Sequence, residues 1–226
     1  MGKQVAFLVD GFNLYHSVRD LERDYGGRYH WLNIKQLCHS HLAPLGPDAH
    51  GAGVYYFSAF AEHLANQNPG VVKRHKAYVS ALKATGVEVE MARFKAHDVH
   101  CTLFGQDGAC CLSDGEYCSG EFVHHEEKET DVALASKLLE LALTTSLDSI
   151  VLLSGDTDYI PAIKTARRLK PGLEVCALLP YKRNSNQMRQ ECSRAFSLDR
   201  DKYDRFRLPD RVAVRGGQPI LKPNGW

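Results

Sequence analysis

The chain has 226 residues, of which 44% are hydrophobic and 24% charged, and its formal net charge is +1. This length suits one large domain or one domain with attachments, and the balanced charge points to no particular partner. No apolar run approaches the roughly 20 residues of a membrane helix, and the opening MGKQVAFLVD lacks a secretory signal pattern. Because the seven cysteines are an odd number without such a signal, we expect a cytoplasmic protein with no disulfide framework.

Apolar runs that suit buried strands alternate with helical patterns along the chain. The predicted elements, in chain order, are a strand at 5–9, a helix at 12–24, a short helix at 31–42, a loop at 44–53, a strand at 54–60, a helix from 69 to 86, a strand at 87–94, a helix at 131–144, a strand at 150–153, a helix at 161–169 and a last strand at 173–179. This alternation predicts an α/β sandwich with a mostly parallel sheet.

Two stretches interrupt the pattern. Residues 95–125 are rich in Cys, His, Gly and Asp, show neither strand nor helix periodicity, and are interpreted as an insertion. Residues 210–226 carry Gly and Pro with little pattern, which is typical of a loose tail or a docking arm.

Four aspartates fall where the predicted elements begin or end. Asp10 ends the first strand, Asp156 and Asp158 follow the strand at 150–153, and Asp131 lies in the first turn of its helix, on the apolar stripe. In a parallel sheet, strand carboxyl ends and helix amino ends share one edge, so we expect the four to converge there. Divalent cations would offset their repulsion, and an all-oxygen site suits Mg²⁺ or Mn²⁺.

Each motif also has an ordinary interpretation. Asp131 alone could be a helix amino-terminal charge favoured by the dipole, and the aspartates after strands could be turn residues. The stretch SGDTD could form an Asx-type turn, or could be the acidic motif of a haloacid-dehalogenase-like phosphatase. That phosphatase requires D-x-D-x-T/V after the first strand, and residues 10–13 read DGFN instead. The four aspartates together favour a metal site.

Four stretches resemble one family. VAFLVDGFNLYHSV, EEKETDVALASKLLE and IVLLSGDTDYIPAI resemble the three signature blocks of NYN domains, in the LabA-like branch of the PIN-like nucleases. PYKRNSNQMRQECSRAF resembles the closing block, a short basic loop followed by a helix. The resemblance runs in order from about residue 3 to residue 209. We therefore expect a nuclease domain over 1–209, with 210–226 as a flexible tail.

The resemblance implies a Rossmann-like, three-layer PIN fold and metal-dependent hydrolysis of RNA phosphodiesters. Its implied catalytic residues are Asp10, Asn13, Asp131, Asp156 and Asp158, of which the aspartates hold Mg²⁺ or Mn²⁺ directly or through water. Asp158 either ligates the metal or orients a metal-bound water. A catalytically weak RNA-binding or regulatory module of the same fold is the alternative.

Contact with single-stranded or loop RNA requires positive charge near the aspartates. Lys182 and Arg183 leave the carboxyl end of the last predicted strand, with only Glu191 nearby as an opposing charge. The further candidates for substrate contact are Lys128, Ser154, Asn186 and Arg189. Three tyrosines near strand exits either pack in the core or stack on bases: Tyr15, Tyr159 and Tyr181.

The insertion concentrates possible zinc ligands. A structural Zn²⁺ would organise a loop with so little apolar material, whereas the alternative is free thiols in a mobile loop. No C-x-x-C is present, and the spacings are irregular. The candidate ligands are Cys101, Cys110, Cys111, Cys118 and His124. The remaining cysteines, Cys38, Cys176 and Cys192, are expected to be small buried hydrophobic residues.

Overall fold

The structure, a computed structural model, describes residues 2–65, 68–100 and 121–226. Its strands are β1 (Gln4–Asp10), β2 (His50–Ala59), β3 (Glu88–His100), β4 (Glu121–Lys128), β5 (Ser149–Leu153), β6 (Glu174–Leu179), β7 (Arg194–Ser197), β8 (Arg211–Val212) and β9 (Ile220–Leu221). Its α-helices are α1 (Gly11–Tyr25), α2 (Ile34–His39), α3 (Gly70–Ala84), α4 (Thr130–Thr144), α5 (Ile160–Leu169), α6 (Asn186–Glu191) and α7 (Arg200–Arg205).

A seven-stranded sheet in the order β4-β3-β2-β1-β5-β6-β7 forms the centre of the fold. Neighbouring strands are parallel, except that β3 and β4 are antiparallel. This confirms the predicted mixed α/β class with a mostly parallel sheet. Among the helices in the described ranges, none is long and apolar enough to cross a bilayer.

The apolar run of β1 is continuous because both of its faces are covered. Val5, Phe7 and Val9 belong to a core cluster that includes side chains of α1, α2 and α3. Ala6 and Leu8 belong to a second cluster with side chains of α4 and α5. Since successive strand residues point to opposite faces, both faces of the central strand are buried under helices.

The arm formed by β3 and β4 differs from the prediction, which ended the third strand at 94. Ala59, the last residue of β2, pairs with Ala92, and the antiparallel pairing with β4 begins at Arg93 and Lys128. The hairpin therefore continues past the carboxyl edge of the parallel sheet. The extension of β3 beyond residue 94 and the whole of β4 were missed because their described side chains are mostly charged, His or half-exposed, without strand-like alternation. Residues 101–120 lie outside the described residues, so the insertion as a whole is not shown.

The segment 210–226, which the sequence leaves open as a loose tail or a docking arm, packs against the rest of the chain. Strands β8 and β9 pair with each other, and the indole N–H of Trp31 donates to the carbonyl oxygen of Pro209 at 2.9 Å. The ring of Trp226 lies 5.4 Å from the Tyr78 ring and 6.2 Å from the Trp31 ring. Val212 is buried in the core cluster, and Ile220 and Trp226 pack against it, so several apolar side chains attach this segment.

Strand β7 was also missed, because the prediction placed the last strand at 173–179. The four residues Arg-Ala-Phe-Ser extend the sheet beside β6 in parallel register. So short a segment carries too little periodicity to be identified from the sequence.

Candidate active site at the carboxyl edge of the sheet

Asp10 is the most buried acidic residue of the candidate site, with 4% of its surface exposed. It ends β1 and caps α1, since its Oδ1 accepts from the backbone N–H of Asn13 at 2.9 Å. Its Oδ2 accepts from the hydroxyl of Ser154 at 2.9 Å. A Cβ on the next residue, Gly11, would lie 2.5 Å from the carbonyl oxygen of Phe57, so only glycine permits this exit from the strand.

The environment of Asp10 disfavours its negative charge. Burial raises the pKa of its carboxyl to about 6, and the nearby carboxylate of Asp131 acts in the same direction. The hydrogen bonds from the backbone of Asn13 and the hydroxyl of Ser154 lower the pKa but do not cancel the effect of burial. The site therefore holds a carboxylate whose charge its surroundings compensate only in part.

Tyr159 joins two of the predicted site residues. Its hydroxyl donates to Oδ1 of Asp131 at 2.7 Å and lies 3.2 Å from Oδ2 of Asp10. Burial, followed by the charges of these carboxylates, raises the pKa of the phenol far above its usual range, so the hydroxyl stays protonated. Because only 1% of Tyr159 is exposed, its ring packs in the core and does not offer a face to bases.

The turn after β5 is held to the start of α1 by polar contacts. The N–H of Gly155 donates to Oδ1 of Asn13 at 3.0 Å, and the N–H of Asp156 donates to the hydroxyl of Ser154 at 3.1 Å. Oδ1 of Asp156 accepts from the N–H of Asp158 at 3.0 Å, which is the Asx-type capping considered above. Asp156 is half-buried and Asp158 is exposed.

The structure brings the predicted acidic residues to one edge by different routes. Asp10 and Asp131 share the Tyr159 hydroxyl, whereas Asp156 is linked to Asp10 through Ser154. Asp131 is exposed, so its predicted place on the buried stripe is wrong. It lies in the first turn of α4, where its side chain remains exposed to solvent. Strand β4, which runs antiparallel to β3, leads the chain back to this edge just before α4 begins. In the part of the chain that the structure describes, no group of three or more His, Cys, Asp or Glu is arranged to hold a metal ion.

The predicted basic loop lies at this edge, but its charges are paired. Lys182 forms an ion pair with Asp24, and Arg183 with Asp20 at 2.6 Å. The prediction that only Glu191 opposes these cations is wrong, because α1 supplies both carboxylates. Glu191 itself pairs with Lys164 at 2.8 Å. The sequence signal that was overlooked is the placement of the two aspartates four residues apart on one face of α1.

The basic loop also touches the turn that carries Asp156. A Cβ on Gly155 would lie 1.8 Å from the carbonyl oxygen of Arg183, so the two backbones are in direct contact. Tyr181, the residue at the start of this loop, donates its hydroxyl to Asp24 at 2.9 Å. The contact between the Gly155 and Arg183 backbones keeps the basic loop beside the turn that carries Asp156. It does not depend on the ion pairs that Lys182 and Arg183 form.

The remaining predicted substrate contacts lie at the margins of the edge. Lys128 ends β4, where it pairs with Glu126 at 2.7 Å. Asn186 is exposed at the start of α6. Arg189 is exposed and donates to the side chains of Asn184 at 3.0 Å and Ser197 at 2.8 Å. Tyr15 is 43% exposed, on α1.

The predicted zinc ligands fall outside what the structure describes. This applies to Cys101, Cys110, Cys111 and Cys118, and to the side chain of His124. The backbone register of β3 and β4 places position 124 opposite His97. The other cysteines, Cys38, Cys176 and Cys192, are free and buried, as predicted.

Comparison with known proteins gives three findings. A sequence model of the family described as NYN domain matches residues 4–199. The chain is 21% identical to 6-hydroxy-3-succinoylpyridine 3-monooxygenase HspA of Pseudomonas putida, over 96% of this chain and 73% of that protein. It is similar, with a TM-score of 0.52 and 16% identity, to the crystal structure of a protein of unknown function from Vibrio parahaemolyticus RIMD 2210633, over 92% of this chain and 97% of that one. This structural likeness shows the fold alone.

Proposed function

This chain belongs to the NYN domain family, a family of PIN-like nucleases, and we propose that it is a divalent-metal-dependent endoribonuclease. The proposed site consists of the four aspartates at the carboxyl edge, with Asn13 orienting the turn beside them. One observation supports it most directly: the carboxylates of Asp10 and Asp131, from different elements, meet at one hydroxyl. Carboxylates held so close repel each other, and a divalent cation would offset that repulsion.

The donor set fits a hard cation. Carboxylate oxygens suit Mg²⁺ or Mn²⁺, and Mg²⁺ commonly takes one or two carboxylates from a protein while it keeps several waters. Asp10 and Asp131 would hold the ion, with Asp156 and Asp158 reaching it directly or through water. When bound, the ion supplies charge stabilisation for the phosphodiester and lowers the pKa of a bound water.

The chain's own residues would bind and orient the substrate. Asp158, which is exposed, would orient the attacking water or accept a proton from it. Ser154 holds Asp10 and the Asp156 backbone in position. The residues proposed to contact the phosphates and riboses of single-stranded or loop RNA are Lys128, Lys182, Arg183, Asn186 and Arg189.

A cleavage assay on mixed RNA and DNA oligonucleotides with Mg²⁺ or Mn²⁺ tests the proposal. Asp10→Asn and Asp156→Asn should each abolish cleavage while the far-ultraviolet circular dichroism stays unchanged. Asp148→Asn is the matched control, because Asp148 accepts from the N–H of Gln4 at the opposite end of β1. Cleavage at the wild-type rate in both site variants would falsify the proposed site.

A catalytically weak RNA-binding or regulatory module remains the alternative within the family. The same assay separates the two functions, since the alternative predicts RNA binding in filter or fluorescence titrations without metal-dependent products. Retention of all four aspartates favours the enzyme, because a binding module has no need of adjacent repelling carboxylates.

The similarity to HspA suggests oxygenation of a small aromatic substrate as a second candidate. Two cavities, of about 220 and 170 Å³, share Tyr55 in their linings, and none of the four aspartates lines either of them. Both are smaller than the roughly 300–1,000 Å³ of typical small-molecule sites, so neither supports this candidate. Oxygen consumption with 6-hydroxy-3-succinoylpyridine and a reduced nicotinamide would support this candidate. A protein that cleaves RNA and consumes no oxygen would exclude it.

A further inference from the structure

The two carboxylates that meet at Tyr159 differ in how firmly they are held. Asp10 is 4% exposed and accepts from the Asn13 backbone and the Ser154 hydroxyl, so its position is set without Tyr159. Asp131 is exposed at the start of α4, and the Tyr159 hydroxyl reaches it at 2.7 Å. An exposed carboxylate exchanges among rotamers unless a partner holds it.

The ring that carries this hydroxyl is a rigid support. Tyr159 is 1% exposed and lies in the core cluster with Leu134 and Leu138 of α4, the helix that also carries Asp131. A phenol has one proton to donate, and the shorter contact directs it to Asp131 rather than to Asp10 at 3.2 Å. The buried ring thus links the exposed carboxylate to the buried one through a single oxygen.

We infer that Tyr159 is a positioning residue, whose hydroxyl holds the carboxylate of Asp131 beside Asp10 and thereby sets the affinity of the site for a divalent cation. The inference rests on the proposed function, because it assigns a role to Tyr159 within the proposed metal site. Partners that orient metal ligands typically change metal affinity by about 10–100-fold when they are removed. We expect an effect of that size from the loss of one hydroxyl.

Tyr159→Phe removes the hydroxyl and keeps the buried ring. Calorimetric titration of the purified protein with Mn²⁺ alone should show affinity about 10–100-fold weaker than wild type. Tyr203→Phe is the matched control, because Tyr203 is also fully buried and its hydroxyl lies 2.8 Å from the Ser17 hydroxyl and accepts from the N–H of Tyr181. The control should bind Mn²⁺ as wild type does.

A double-mutant cycle distinguishes positioning from a general loss of structure. If Tyr159 acts through Asp131, Tyr159→Phe should have little further effect on Mn²⁺ affinity in an Asp131→Asn background. Asp131→Glu keeps the charge but moves the carboxylate by one methylene, so it should also weaken binding, and it serves if Tyr159→Phe does not fold.

Each outcome bears on one of the two proposals. Weaker Mn²⁺ binding in Tyr159→Phe, in a protein that cleaves no RNA, would support the positioning role and overturn the proposed function. Wild-type affinity in both Tyr159→Phe and Asp131→Glu, in a protein that cleaves RNA, would overturn the positioning role alone. Absence of Mn²⁺ binding by the wild-type protein would also overturn it.

Discussion

The side chain of Asn13 accepts a hydrogen bond from the backbone N–H of Gly155 at 3.0 Å, which ties the first turn of α1 to the turn after β5. Asn13→Ala removes that acceptor, so the turn should lose a fixed position. We expect a loss of about 1 kcal/mol in the free energy of unfolding, measured in urea. We also expect initial cleavage rates to fall by roughly 10-fold, because catalysis depends on ligand placement within a fraction of an ångström.

Asn33→Ala is the matched control for this prediction. Asn33 caps α2, where its side chain accepts from the N–H of Gln36 at 3.1 Å. Its removal should cost a similar free energy of unfolding, about 1 kcal/mol, and leave the cleavage rate unchanged. Equal rates for the two variants would show that the Asn13 contact stabilises the fold without serving the site.

The raised pKa of Asp10 predicts a pH dependence of stability. Burial raises this pKa from 3.8 to about 6, so the folded protein binds the proton more tightly than the unfolded chain does. The resulting stabilisation is fully present below about pH 4 and is lost as the pH rises through about 6. A pKa difference of this size corresponds to roughly 3 kcal/mol at most.

Urea unfolding of wild type and Asp10→Asn, with a chelator present, tests this dependence. The stability of Asp10→Asn relative to wild type should increase by up to about 3 kcal/mol between about pH 4 and pH 7. Saturating Mn²⁺ should reduce the difference at the higher pH, because a bound cation stabilises the ionised carboxylate. A difference that does not change with pH would contradict the prediction.

Because Lys182 and Arg183 are paired with aspartates of α1, removing the cations and neutralising the aspartates should have opposite effects on RNA binding. Lys182→Ala with Arg183→Ala should weaken binding and reduce the slope of log affinity against log salt by about 0.7 per lost phosphate contact. Asp20→Asn with Asp24→Asn should strengthen binding, since it frees both cations from α1. An unchanged salt slope in the alanine double variant would mean that RNA approaches another surface.

We also predict a structural zinc ion held within the insertion. Protein purified without chelator should contain about one zinc per chain by metal analysis, and Cys118→Ser should lower that content. Cys192→Ala is the control, because Cys192 is buried beside α6 and should leave the zinc content unchanged. Zinc-free protein in which the insertion thiols titrate freely would contradict the prediction.

The parts of the fold that were predictable are those whose side chains are buried on both faces. Strands β1, β5 and β6 read as continuous apolar runs because helices cover both sides, and they also place Asp10 and Asp156 at one edge. Strand β4 was not predictable, since its exposed residues carry no alternation. The docking of Trp226 depends on partners more than 140 positions away, at Tyr78 and Trp31, which no local pattern reveals.

The residue types of the candidate site could be predicted from the sequence, but the hydrogen bonds and ion pairs that join them could not. The positions of Asp10 and Asp131 follow from strand and helix boundaries, whereas the role of Tyr159 depends on its hydroxyl rather than on its apolar ring. A tyrosine among apolar residues predicts core packing, which is correct for the ring. The contacts of Lys182 and Arg183 with α1 were hidden for another reason, because they join charges about 160 positions apart in the chain.

The helices that follow β1 and β5 leave these neighbouring strands on opposite sides of the sheet. α1 begins at Gly11 and packs in one core cluster, whereas α5 begins at Ile160 and packs in the other. In open parallel sheets, ligands usually bind where successive connections diverge in this way, and the amino end of a helix carries partial positive charge. The backbone of the two helices alone would therefore attract an anion to this part of the sheet edge. The chemistry performed there depends on a few loop residues, which can change while the sheet stays the same.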